Sequence, residues 1–419
     1  MTKFVLGLGL LALASPLAAQ SPEAVAEAAL RAAPVWDGHN DVPEQLRGRR
    51  GDMLEGFDFT DTRAEPDGKG GTRPMHTDLP RLARGRVGAQ FWSVYVDADQ
   101  PEPQAVAQTL EQIDVTKRLI ARYPDRLALA LTADDVERAM RKGKIASLIG
   151  MEGGHSIGSS LAVLRQMYEL GARYLTLTHY NTLPWADSAD DEPTNGGLTG
   201  FGEQVVREMN RLGMVVDLAH VSEGTMSDVL DVAQVPVIFS HSNARAINGD
   251  SRNVPDAILQ RLRTNGGIVM VTAVPNFVSE PQRLRIAERQ AEEARQKSLW
   301  QGQPERVVAA MAQWDAANPE PQPTIAQLAD HVDHIRAVAG IDHIGIGGDY
   351  DGMPGGPAGM EDVAGYPALF TELARRGYAR ADLEKIASRN MMRVLRAAEA
   401  YAAQHAGDPP IETRVPAGG

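Results

Sequence analysis

The 419-residue chain is 43% hydrophobic and 23% charged, an ordinary composition for a globular protein. Its formal net charge of -13 repels polyanions, which argues against nucleic acid as a partner. It contains no cysteine, so disulfides and thiolate metal sites are excluded, and any metal must be held by His, Asp and Glu.

Residues 1–19 read as an export signal. Lys3 gives a positive start, Phe4 to Ala14 form an apolar run, and Pro16 and Ala18-Ala19 supply a helix break and small residues before Gln20. The run is too short to span a bilayer, and the polar segment Gly407 to Gly419 offers no apolar anchor. The mature protein is therefore expected to be exported, periplasmic or secreted, without a transmembrane segment. A single domain over 20–405 and a flexible tail over 406–419 are expected.

Within that domain short β-rich runs alternate with amphipathic helical stretches, the pattern of a parallel α/β protein. The expected strands are Val35 to Asp37, Val87 to Tyr95, Ile145 to Ile149, Tyr174 to Thr178, Met214 to Ala219, Val237 to Ser240, Ile268 to Thr272 and Ile344 to Gly347. Helices are expected over Gln104 to Arg122, Ala133 to Arg141, Leu161 to Leu170, Phe201 to Leu212, Glu223 to Val232 and Pro255 to Arg263. Eight such strands favour a closed (β/α)8 TIM barrel over a doubly wound sheet. The stretch 276–323, rich in Glu, Arg, Gln and Ala, is long for a connection and is expected to be a helical insertion between strands seven and eight.

Reactive side chains fall where these strands end. His39 and Asp41 follow strand one, Glu152 strand three and His179 strand four; His220 ends strand five, His241 ends strand six, and Asp349 follows strand eight. Barrel enzymes assemble their sites at the C-terminal ends of strands, so all seven should converge on one mouth. His76, His343 and His405 do not share that placement and are expected to be structural or on the surface. His331 and His334, spaced i, i+3 beside Asp330 and Asp333, read as a solvated helix face.

In extended chain residues i and i+2 point the same way, so His39 and Asp41 can bind one cation together. His220 and His241, from adjacent strands, can bind a second, and Glu152 is placed to bridge the two. Imidazole and carboxylate donors suit zinc, with manganese or iron as alternatives. Two such cations would share a water, which zinc acidifies to a pKa of about 7. Two competing motifs occur. Gly154-His155-Ser156-Ile157-Gly158 matches the G-x-S-x-G elbow of serine hydrolases, but the strand ends about four residues too early for a sharp elbow. Asp349-Tyr350-Asp351-Gly352 opens like a calcium loop and lacks the downstream ligands.

The chain resembles the membrane (renal) dipeptidase family of binuclear zinc peptidases within the amidohydrolase superfamily. The matching segments are Asp37 to Asp41, Met151 to Ser156, Tyr174 to His179, Trp185 to Asp187, Ser240 to Ser242, Arg252 to Pro255 and Gly347 to Gly352. His39-x-Asp41 is the dipeptidase variant of the superfamily's usual His-x-His opening. The resemblance implies that His39, Asp41 and Glu152 hold one zinc ion, and Glu152, His220 and His241 the other, with a hydroxide between them. It gives His179 the oxyanion, Arg252 the substrate's carboxylate, and Asp349 the free amine and the proton passed to the leaving nitrogen. It leaves open an amidohydrolase for other small amides, such as N-acyl amino acids or lactams. A solute-binding protein would have no need of so many ligands at strand ends. Small dipeptides are the expected partners, and a homodimer is compatible with the reading.

Overall fold

The computed structural model describes residues 20–413; the expected export signal and residues 414–419 lie outside them. Eight parallel strands close into a barrel: β1 (Val35–Asn40), β2 (Val87–Tyr95), β3 (Ile145–Glu152), β4 (Ala172–Thr176), β5 (Val215–Asp217), β6 (Ile238–Phe239), β7 (Ile268–Val271) and β8 (Ile344–Ile346). Neighbours pair in chain order throughout, from β1–β2 and β2–β3 onward, and β8 returns to β1 through Asp37 and Ile346. All eight expected strands are present. Those of the second half are shorter than their apolar runs because the chain leaves the ladder early to aim its end residues into the mouth.

Trp36, Ala89, Phe91, Ala146, Leu148, Tyr174, Val215, Ile238, Ile268 and Met270 form one buried cluster drawn from seven strands, at alternate positions where a strand gives two. They fill the barrel interior, as the two-residue period of a strand requires. Small residues make room for large ones there. A Cβ on Gly38 would lie 2.5 Å from Met270 Sδ, and one on Gly150 would lie 2.0 Å from Tyr174 Cζ.

The connecting helices fall close to where the sequence places them, for example Glu102–Arg122, Ala133–Arg141, Gly200–Leu212 and Glu223–Val232. Their starts are fixed by hydroxyl caps: Thr132 accepts from Asp135 N–H, Ser160 from Val163 N–H and Ser222 from Thr225 N–H. The stretch 276–323 carries helices Glu280–Leu299 and Pro304–Ala317, which pack on each other. Among the strands, two features were not anticipated. Leu127–Leu129 pairs along the lower half of β3, and Glu65–Pro66 pairs antiparallel with Thr72–Arg73. After residue 405 the chain is still held: Ile411 N–H donates to Glu208 Oε2, and its carbonyl accepts from Arg165. No helix of the described residues is long and apolar enough to cross a membrane.

Candidate metal centre

The seven residues expected at strand ends meet in one pocket. Asp41, Glu152, His179, His220, His241, Arg252 and Asp349 line it directly, and His39 stands behind them with its Nε2 3.3 Å from both Asp41 Oδ1 and Glu152 Oε2. The pocket holds about 260 Å³, just below the ~300–1,000 Å³ usual for ligand sites.

Glu152 stands at the centre. Its Oε2 faces His39 and accepts from Ser93 Oγ at 3.1 Å. Its Oε1 faces the other side, 3.0 Å from His220 Nε2, 3.5 Å from His241 Nε2 and 3.8 Å from His179 Nε2. One carboxylate thus presents each oxygen to a separate set of ligands. Three overlapping groups could each hold an ion: His39 with Glu152 and His241, Glu152 with His179 and His220, and His39 with Asp41 and Asp349. They cut across the grouping that the resemblance implies, because His241 also reaches the His39 side and His179 the His220 side.

The donor set fits a cation. His220 Nε2 and His241 Nε2 converge to 3.0 Å, and Asp41 Oδ2 is buried without a hydrogen-bond partner. Polar atoms so placed are costly unless something positive lies between them. The tautomer of His241 is also set for it. Ser240 Oγ gives its one proton to Asp217 Oδ2 at 2.6 Å, so at 2.8 Å it must accept from His241 Nδ1–H. That leaves a lone pair on Nε2, facing the pocket.

Two buried carboxylates hold the ligand loops in place. Asp217 accepts from Ala219 N–H, Ser240 N–H, Ser240 Oγ and Thr176 Oγ1, tying the ends of β4, β5 and β6 together. Asp37 accepts from His39 N–H, Gly348 N–H and Tyr366 OH, tying β1 to β8. Burial pushes both carboxyls above the usual carboxylate range. A shift of register between Asp37 and Asn40, where β1 pairs with β2, re-aims the end of β1. His220, Asp349 and Asp351 all adopt positive φ, at 67°, 62° and 73°. Such conformations cluster at functional sites, where the surroundings over-determine them. Asp351 turns away from the pocket and pairs with His76, whose N–H donates to its Oδ1 at 2.7 Å.

Burial pushes the His179 imidazole down to about 3, so it is neutral at ordinary pH. Burial and the adjacent Asp41 raise the Asp349 carboxyl well above its ordinary range. Arg252 is buried, its guanidinium 5.0 Å over the Phe277 ring and its Nη2 3.0 Å from His241 Nε2.

Ser156 has no such setting. It is fully buried on a 3₁₀ turn, and its hydroxyl donates to Gly153 O at 2.7 Å rather than to a base. His331 corrects an expectation. It is not solvated but fully buried, accepting from Ala244 N–H through Nδ1 and donating from Nε2 to Val278 O. His334 pairs with Asp256 at 2.7 Å. Sequence reasoning also passed over Glu44, Tyr95, Tyr180, Asn276, Phe277 and Met353, which also line the pocket. Tyr95 had a signal, since it closes a strand to whose end no role was given.

A barrel of eight parallel strands with a carboxylate-bridged His/Asp/Glu cluster at its C-terminal mouth defines a metal-dependent hydrolase. Comparison with known proteins narrows this. Residues 23–408 match the family described as Membrane dipeptidase (Peptidase family M19), and the chain belongs to that family. It is 42% identical to Dipeptidase 3 of Mus musculus over 93% of this chain and 69% of that one. It is 39% identical to Dipeptidase tcpJ of Claviceps purpurea, over 91% and 81%. Among solved structures it resembles the probable dipeptidase PvdM of Pseudomonas aeruginosa in fold, with a TM-score of 0.76 at 23% identity, over 91% of this chain and 99% of that one. It also resembles a metallo peptidase of Rhodobacter sphaeroides liganded with a phosphinate mimic of the dipeptide L-Ala-D-Ala, with a TM-score of 0.69 at 25% identity, over 87% and 99%. The protein is a metallo-dipeptidase.

Proposed function

We propose that this enzyme hydrolyses dipeptides with a free amine and a free carboxylate, using two zinc ions held by His39, Asp41, Glu152, His220 and His241. The observation that carries this is Glu152, whose two oxygens face His39 and His220 in a pocket also lined by Arg252, beside His241, and Asp349, beside His39. Zinc, when bound, supplies Lewis acidity and a water acidic enough to attack at neutral pH. The chain's own residues do the rest. Arg252 binds the carboxylate through its planar fork. His179, neutral, donates from Nε2 to the carbonyl oxygen as that oxygen gains charge. Asp349 orients the amine, takes the proton released by the attacking water and delivers it to the leaving nitrogen as the C–N bond breaks. The pattern of residues 1–19 supports export to the periplasm or beyond.

The test compares dipeptides with their C-terminally amidated and N-acetylated forms, alongside elemental analysis of the active protein. Free dipeptides should be cleaved and the blocked forms should be poor substrates, with about two zinc ions per chain. Equal turnover of all three forms would instead make the protein a general small-amide amidohydrolase. Active protein free of transition metal would overturn the metal assignment.

A further inference from the structure

We propose that Glu44 makes this enzyme select dipeptides whose first residue carries a cationic side chain, of the lysine or ornithine kind. The proposal rests on the dipeptide reading above and goes beyond it to the identity of the first residue.

Glu44 lies in the first turn of helix Val42–Arg50, three residues past Asp41, and makes no capping bond there. It lines the pocket on the side of Asp41 and Asp349. Among the described residues no side chain forms an ion pair or hydrogen bond with its carboxylate, and the charges nearest to it are mostly anions, Asp41, Glu152 and Asp351. Burial and these anions push its carboxyl up to about 8, so a cation brought beside it would draw it into its ionised form.

The direction of a bound dipeptide follows from Arg252. With the substrate's carboxylate there, the first residue lies toward Asp41 and Asp349, which meet beside His39. Its amine takes Asp349, and Glu44 lines the same pocket together with Tyr95, Met353 and Pro354, groups its side chain can meet. An aromatic ring, a thioether and a proline ring in one pocket with that carboxyl group match an apolar stem with a charged tip. A neutral side chain of the same length would cover the stem-binding wall and leave the carboxylate unpaired. An acidic one would meet repulsion.

Two other roles are conceivable and predict different results. As a helix N-terminal acid, Glu44 would affect stability and not selectivity. As a charge serving the metal ions, it would affect metal content and all substrates alike.

The experiment measures kcat/KM for Lys-Ala, norleucyl-Ala and Glu-Ala with zinc-loaded wild type and with E44Q. Wild type should prefer Lys-Ala to norleucyl-Ala by roughly tenfold or more, mainly through KM, and E44Q should bring that ratio close to one. The ratio is taken within one preparation, so a partly folded variant does not disturb it. A wild-type ratio near one, or a ratio that E44Q leaves unchanged, overturns the proposal. Should E44Q yield no active protein, the wild-type ratio is followed with salt. It should shrink between roughly 0.05 and 0.5 M, as an ion pair at a pocket mouth is screened, and a ratio indifferent to salt overturns the proposal. If wild type cleaves none of the dipeptides, the function proposed above falls and this inference with it. If it cleaves all three equally, only this inference falls.

Discussion

At the scale of single residues, Glu152 and Ser156 separate two chemistries four positions apart. Glu152 is buried among imidazoles and shared between ligand sets, whereas Ser156 spends its proton on Gly153 O. Glu152→Gln keeps the shape and removes the charge that would offset the two proposed cations. Activity should fall by about two orders of magnitude or more, with metal content falling too, while Ser156→Ala should stay within a few-fold. Equal losses in two folded variants, measured with Ala-Ala and by metal analysis, would return the serine reading. Arg252 makes a second contrast. Arg252→Ala should cost on the order of 2–4 kcal/mol in kcat/KM for a free dipeptide, and Arg252→Lys less, because the charge remains but the fork is lost. Amidated dipeptides, which never used that contact, should be much less affected by either change.

At the scale of elements, the ligands are precise because strand ends are tied to each other. Asp217 accepts four hydrogen bonds from Thr176 at the end of β4, Ala219 just after β5 and Ser240 at the start of the His241 loop. Asp217→Asn turns one acceptor into a donor facing donors, so the variant should lose about 2–3 kcal/mol of stability and bind zinc some 10–100-fold more weakly. Denaturant unfolding and competition with a chelator measure the two effects separately. His331 fastens helix Ile325–Val338 to the loop from Asn243 to Val254 that carries Arg252. Burial pushes its imidazole down to about 4, against about 6.5 in an unfolded chain. The unfolded state therefore binds the extra proton between those values. The stabilisation is complete above pH 6.5 and is lost progressively as pH falls towards 4, by about 2 kcal/mol at pH 5. His331→Gln should be less stable at pH 7.5 and lose less on going to pH 5, as read by denaturant midpoints. These fastenings show what the sequence conceals. The eight strands were legible because each is a β-rich apolar run, and the site was legible because His and carboxylates recur where the runs stop. Asp37, Asp217 and His331 were not, since a buried polar residue declares itself only through partners distant in sequence, such as Tyr366 for Asp37 and Ala244 for His331. The strands Leu127–Leu129 and Glu65–Pro66 were missed because two or three residues carry no periodicity.

At the scale of the whole molecule, the barrel is closed around a cluster of groups that oppose one another. Asp41, Glu152 and Asp349 bring three carboxylates to one mouth, and His220 and His241 aim ring nitrogens at the same point. Hydrophobic burial by the barrel must hold this together when nothing cationic is present, so the ions should stabilise the fold as well as serve the reaction. Binding that is specific to the folded state adds about 4 kcal/mol per ion when free zinc is about a thousandfold above its dissociation constant. In a chain of this size, the two proposed ions should then raise Tm by on the order of 10 °C. The ligands must be deprotonated to bind, so the gain should shrink as pH falls from about 7 to 5. Scanning calorimetry of the zinc-loaded and chelator-treated enzyme at several pH values measures this directly. Because Glu152 joins the two ligand sets, Glu152→Gln should lose most of the zinc-dependent rise in Tm, whereas Ser156→Ala should keep it. A Tm unchanged by chelation in wild type, with activity abolished, would mean that the fold tolerates its anionic mouth unaided and that the ions bind to a barrel already fully stable.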